Sequence, residues 1–144
     1  MHLSLLEKLQ DIASLQNIEI GRFNLPKKVR GLYYEEGTFR SITINSDVTT
    51  ITEEADVLAE EIGHSVVGGG DLFFPDGTDP VLKRKAELRA KAYAYNLLVP
   101  VKRLMEVIKE KTCIYDIAEE LNVTETFVKE AMDSYKIKGL VENF

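Results

Sequence analysis

The sequence has 144 residues, 44% hydrophobic and 29% charged, the balance of a folded globular chain with room for one domain or one domain and a small appendage. Its net charge of −6, from 18 basic against 24 acidic residues, sets it against nucleic acid or an anionic membrane as main partner. A single cysteine excludes an internal disulfide framework and fits a reducing, cytoplasmic compartment; with only two histidines, any metal site must draw on carboxylates.

Residues 3–16 carry Leu3, Leu6, Leu9 and Ile12 or Ala13 at helical spacing, an amphipathic helix without the basic-then-apolar order of a signal peptide. Three β-like runs follow at 18–23, 30–35 and 39–45, parted by Asn24-Leu25-Pro26 and Glu35-Glu36-Gly37. In the third, Arg40, Ile42 and Ile44 alternate with Phe39, Ser41, Thr43 and Asn45, and the three together predict a small, mostly antiparallel sheet. From Thr50 the period becomes helical. Thr50 and Glu53 have capping-box spacing, and Ala55, Leu58, Ala59, Ile62 and Val66 form one apolar stripe. Gly68-Gly69-Gly70 end it, and 68–80 are expected to form a loop with Phe73 and Phe74 folded back onto the body. A second long helix starts near Pro80 and ends before Pro100; shorter ones are expected at 101–110, 114–121 and 125–135. Cys113 reads as a small buried apolar residue. No apolar run reaches the ~20 residues needed to cross a bilayer. The one internal boundary falls at 109–112, giving units of 1–110 and 111–144.

The run Leu58-Ala59-Glu60-Glu61-Ile62-Gly63-His64 holds the chemistry. Glu60 and His64 are i and i+4, so their side chains converge on one point, with Glu61 one step around the helix. The zincin motif H-E-x-x-H works by this geometry: two ligands a turn apart hold the metal, and the intervening glutamate is the general base. Here Glu60 stands in the first position. A third ligand is offered by Glu87, which shares a face of the second long helix with Ala90, Ala94 and Leu98, while Lys85, Arg89 and Asn96 lie on other sides. A carboxylate on a core-facing stripe needs a partner, and a metal ion is one. A structural reading stands beside this. Glu60 and Glu61 are then exposed, His64 satisfies the last carbonyls of its helix, and Glu87 pairs with Lys83 or Lys91. A di-iron reading of Glu61-x-x-His64 fails, because that motif is needed twice and the only other histidine is His2.

The order of these features resembles the ImmA/IrrE family of metallo-endopeptidases, often found in phages and mobile elements beside a repressor gene. The resemblance rests on Ser41-Ile42-Thr43-Ile44-Asn45, on Val57 to His64, and on Ala86 to Pro100, whose Leu97-Leu98-Val99-Pro100 is similar to the family's Leu-Leu-Met-Pro ending. It covers roughly residues 30–135. It implies that His64 is a metal ligand, Glu61 the general base, and a glutamate of the second helix the third ligand, here assigned to Glu87. The family's more usual Glu-Ala-Asn arrangement would put that glutamate at Arg89. Glu60 is the other departure, and a carboxylate can ligate zinc. Two carboxylates and one imidazole nearly cancel the metal's charge, so water there is acidified less and manganese competes better with zinc. The implied activity is hydrolysis of peptide bonds in a protein partner, by resemblance a helix-turn-helix repressor. Tyr93, Tyr95 or an arginine is available to stabilise the oxyanion.

At the C-terminal end, Ile117, Ala118, Leu121, Val123, Val128 and Met132 form the apolar side of two helices joined at Asn122-Val123-Thr124, which is helix-turn-helix spacing. Glu125, Glu130 and Asp133 on the would-be recognition helix oppose contact with phosphates. The expected fold is therefore α+β: a small sheet, a zincin-like active-site helix, a ligand helix and a C-terminal helix-turn-helix. A metal-dependent endopeptidase is the favoured function. A catalytically weak relative that binds a repressor without cutting it, and a DNA-binding regulator, are the alternatives.

Overall fold

In the computed structural model, residues 4–68 and 79–141 are described. The first helix, α1 (Leu5–Leu15), is closed by a reciprocal cap: Ser4 accepts from the Glu7 amide while the Glu7 carboxylate accepts from the Ser4 amide. Leu9 and Ala13 are its buried residues, as the spacing requires. Strands β1 (Glu19–Phe23), β2 (Gly31–Glu36) and β3 (Phe39–Asn45) follow. Ile42 and Ile44 of β3 and Tyr33 of β2 point into the core.

The sheet is mixed, in order β1-β3-β2, which corrects the expectation of a mostly antiparallel one. A tight turn with Gly37 at φ 60° folds β2 back on β3, and this hairpin takes one edge of β3. β1 takes the other edge and runs parallel to β3. The connection at 24–30 must therefore cross the end of the sheet. Asn45, fully buried, holds it there by donating from Nδ2 to the carbonyls of Leu25, Pro26 and Val29 at 3.2, 3.3 and 2.8 Å.

Helix α2 (Ile51–Val67) starts at a Thr50 cap and ends at Gly68, which adopts the left-handed conformation at φ 77°. Buried side chains run around most of its circumference, because it lies between α1, the sheet and α3 (Pro80–Leu98). Val66, expected in its apolar stripe, is 49% exposed, since the helix has by then run past the elements that cover it. Two ion pairs tie its first turn to the sheet side: Arg22 with Glu54, and Arg30 with Glu53. The expected packing of Phe73 and Phe74 lies outside the described residues.

Helices α4 (Val101–Glu110), α5 (Ile114–Leu121) and α6 (Glu125–Ile137) complete the chain. Cys113 is exposed and not buried: it occupies the N-cap of α5, where extended backbone turns the side chain outward. Buried residues from Leu9 to Val141 form one core cluster that runs through both sides of the 109–112 boundary. The Tyr135 hydroxyl of α6 donates to the Val99 carbonyl at 2.6 Å, seating the last helix on the end of α3. Among the described residues no helix is long and apolar enough to cross a membrane.

Candidate metal centre

The closest approach of α2 and α3 is set by two small residues. A Cβ placed on Gly63 would lie 2.4 Å from the Ala90 carbonyl oxygen, so only glycine lets the helices come this near. Glu87 sits one turn before Ala90 on α3, and His64 follows Gly63 on α2. The approach therefore brings the Glu87 Oε2 to 3.2 Å from His64 Nε2. Both histidine and glutamate were singled out from spacing, and the structure brings them together.

Glu60, Glu61 and His64 offer donor atoms that lie within 4.8 Å of one another. His64 is 2% exposed and Glu61 5%, whereas Glu60 is half-buried. Both carboxylates are thus held in the cleft wall and not out in solvent. Glu61 packs against the start of β2, where Gly31 leaves room for it; a Cβ there would lie 3.1 Å from Glu61 Cγ. Glu87 also reaches Glu60. Burial, then the hydrogen bond and charge of Glu87, push the Glu60 carboxyl well above the usual carboxylate range. The Glu87 carboxyl moves the other way, held down chiefly by its hydrogen bond to His64. Two carboxylates this close share a proton or a cation. An imidazole nitrogen and several carboxylate oxygens in so small a volume form a donor set that fits a divalent metal.

The cluster lies along a cleft of about 450 Å³. Lys28, Val29, Arg30 and Gly31 form one wall; Asp56, Val57, Glu60 and Glu61 of α2 form another, with Glu87 and Phe127 contributed by α3 and α6. Arg30 is turned toward Glu53, donating from Nε and Nη2 to one carboxylate oxygen at 3.0 and 2.6 Å. Tyr95 is buried beside Phe127, ring centroids 5.3 Å apart, and its hydroxyl donates to Glu130 at 3.2 Å. Burial and the nearby carboxylates raise its pKa, so it remains a proton-bearing donor. Tyr93 is half-buried and packed on the core. Arg89, where the more usual family glutamate would stand, is exposed.

Asp56 and Phe127 are cleft residues that the sequence reading did not reach. Asp56 stands one turn before Glu60 on the same helical face, which is the signal that was available for it. Nothing local in the sequence places Phe127, since its position depends on how α6 docks.

A family model for the IrrE N-terminal-like domain, a peptidase domain, matches residues 13–133. No curated protein matches the chain.

Proposed function

The chain belongs to the IrrE N-terminal-like family of peptidases, and from that premise we propose that it is a metal-dependent endopeptidase. In this reading zinc is held by Glu60, His64 and Glu87, Glu61 is the general base, and manganese is the competing ion. One observation carries it: α3 delivers the Glu87 carboxylate to His64 across the Gly63–Ala90 contact, on the face that also presents Glu60 and Glu61.

What a divalent cation supplies at such a cluster is charge, which polarises the scissile carbonyl and makes water a better nucleophile. The protein's own groups do the rest. Glu61, buried and backed by β2, takes the proton from the attacking water and later gives one to the departing amine. His64 and Glu87 fix each other's orientation before a substrate arrives. Among the described residues β2 is paired on one side only, by β3, and its first residue lines the cleft. An extended peptide can pair with that open edge, which would present its backbone to Glu61.

The proposed substrate is a protein partner in the same cytoplasmic compartment, by resemblance a helix-turn-helix repressor. The packing of α6 supports setting the DNA-binding alternative aside. Phe127, Val128, Ala131 and Tyr135 are buried against the rest of the chain, and Thr124 and Glu130 are engaged with Asp56 and Tyr95. The face this packing leaves outward carries Glu125, Glu130 and Asp133, acids that oppose contact with phosphates.

The test is zinc-dependent cleavage of a proteome-derived peptide library, with new N-termini identified by mass spectrometry. Termini that appear with zinc, vanish with a chelator and are missing with Glu61→Gln support the proposal. Binding of peptides without any cleavage in zinc-replete protein would favour the non-cutting relative.

A further inference from the structure

Asp56 is 8% exposed and lines the same cleft as the metal cluster. Its Oδ2 accepts two hydrogen bonds from Thr124, from the amide at 3.2 Å and from the hydroxyl at 2.6 Å. Thr124 in turn caps α6 by accepting from the Phe127 amide at 3.1 Å. The second oxygen, Oδ1, is fully enclosed and accepts no hydrogen bond among the described residues. Buried carboxylate oxygens in folded proteins are met by donors, and an exception calls for one.

The chemistry of that donor follows from the surroundings. Glu53 and Glu130 add negative charge around Asp56, while Lys28 and Arg30 line the facing wall of the cleft and Arg30 is engaged with Glu53. A positive donor would therefore be favoured over a neutral one. Its place along a substrate follows from helix geometry. One turn separates Asp56 from Glu60, a rise of ~6 Å, which is close to the span of two residues in an extended peptide, ~6.6 Å.

We propose that Asp56 Oδ1 is a substrate subsite for a cationic side chain, arginine or lysine, carried two residues from the scissile bond. The inference rests on the reading of this cleft as a peptidase cleft. Because the oxygen is enclosed in the free protein, entry of the cation requires the cleft side chains around it to shift. The backbone of α6 stays in place, held by the Thr124 cap.

The test measures equilibrium binding in a Glu61→Gln background, so that no peptide is cut during the measurement, and wild type below means this parent with Asp56 and Thr124 in place. The probes are acetylated hexa-alanine amides with a single arginine walked through every position, each beside its norleucine counterpart, on zinc-supplemented protein. Asp56→Asn keeps an oxygen for Thr124 but replaces the second oxygen with an N–H donor, so the α6 cap survives. Wild type is expected to prefer arginine to norleucine by about tenfold or more at one position. Asp56→Asn should lose that preference while its circular-dichroism spectrum and norleucine-peptide affinity stay as in wild type. Thr124→Val, which weakens the cap and leaves the carboxylate, should retain it. Absence of an arginine preference in wild type at every position, its survival in Asp56→Asn, or its loss in Thr124→Val would overturn the inference. Zinc uptake scored in the same samples reports on the metal centre separately, so failure of this subsite is distinguishable from failure of the peptidase reading.

Discussion

Glu61 and His64 are the most deeply buried ionisable side chains of the cluster, and each follows from one neighbouring glycine. Gly31 makes room for the Glu61 carboxylate, and Gly63 draws in the helix that brings Glu87 to His64. With Glu61 as the base, Glu61→Gln should lower cleavage by about 10²–10⁴-fold. Its zinc uptake should be unchanged, measured in parallel, because Gln retains the shape and removes only the proton acceptor. Asp56 adds a pH signature. Burial raises its carboxyl from 3.8 to about 6, with the Thr124 hydrogen bonds pulling the other way. The folded state thus holds its proton to higher pH than the unfolded chain. The stability this contributes is full below the unfolded value and is lost as pH rises through about 6. Wild type should therefore lose on the order of 2 kcal/mol relative to Asp56→Asn between about pH 4 and pH 7, read from urea melts. The four cluster residues were legible because helical spacing fixes which side chains share a face. Asp56 was passed over because a lone acid between Ala55 and Val57 reads as a solvated position until a neighbouring helix is known to cover it.

At the scale of elements, the contact between α2 and α3 is the one that assembles the site. Gly63→Ala would drive a methyl group into the Ala90 carbonyl and force the helices apart. It should cost about 1–3 kcal/mol and also weaken zinc binding, because Glu87 retreats with α3. Gly68→Ala is the control. Among the described residues its new methyl group meets nothing, and its cost of about 1 kcal/mol comes from the left-handed backbone; zinc affinity should not change. Calorimetric melts and zinc titrations of the two variants separate these effects. Helix positions were legible from caps and periodicity, as with Thr50, Pro80 and Thr124. Strand order was not. Each strand announces its own faces by alternation, but that β1 pairs with the open edge of β3 and not with that of β2 is a tertiary outcome. Cys113 and Val66 failed for a related reason: burial depends on what arrives to cover a residue, which local pattern does not contain.

Across the whole molecule, one core cluster joins the sheet, the metal-centre helices and the C-terminal pair. Tyr95 packs on Phe127 and Val99 is held by Tyr135 of the last helix, and Asp56 supports that helix's cap through Thr124. The chain should therefore unfold in a single cooperative step with coincident calorimetric and circular-dichroism transitions. A fragment ending at residue 110 should fail to fold, because it exposes that apolar surface and strips the cleft of Phe127. A cation gripped by two separate helices would stabilise the same fold by mass action, raising the melting temperature with zinc concentration. Zinc stoichiometry and affinity, read by titration calorimetry alongside that thermal shift, decide whether the cluster is a metal centre. The expected result is one zinc per chain in wild type and in Glu61→Gln, with binding and thermal shift lost in His64→Ala and Glu87→Ala and strongly weakened in Glu60→Ala. Wild-type protein that takes up no zinc or manganese, or uptake that His64→Ala leaves intact, would contradict it.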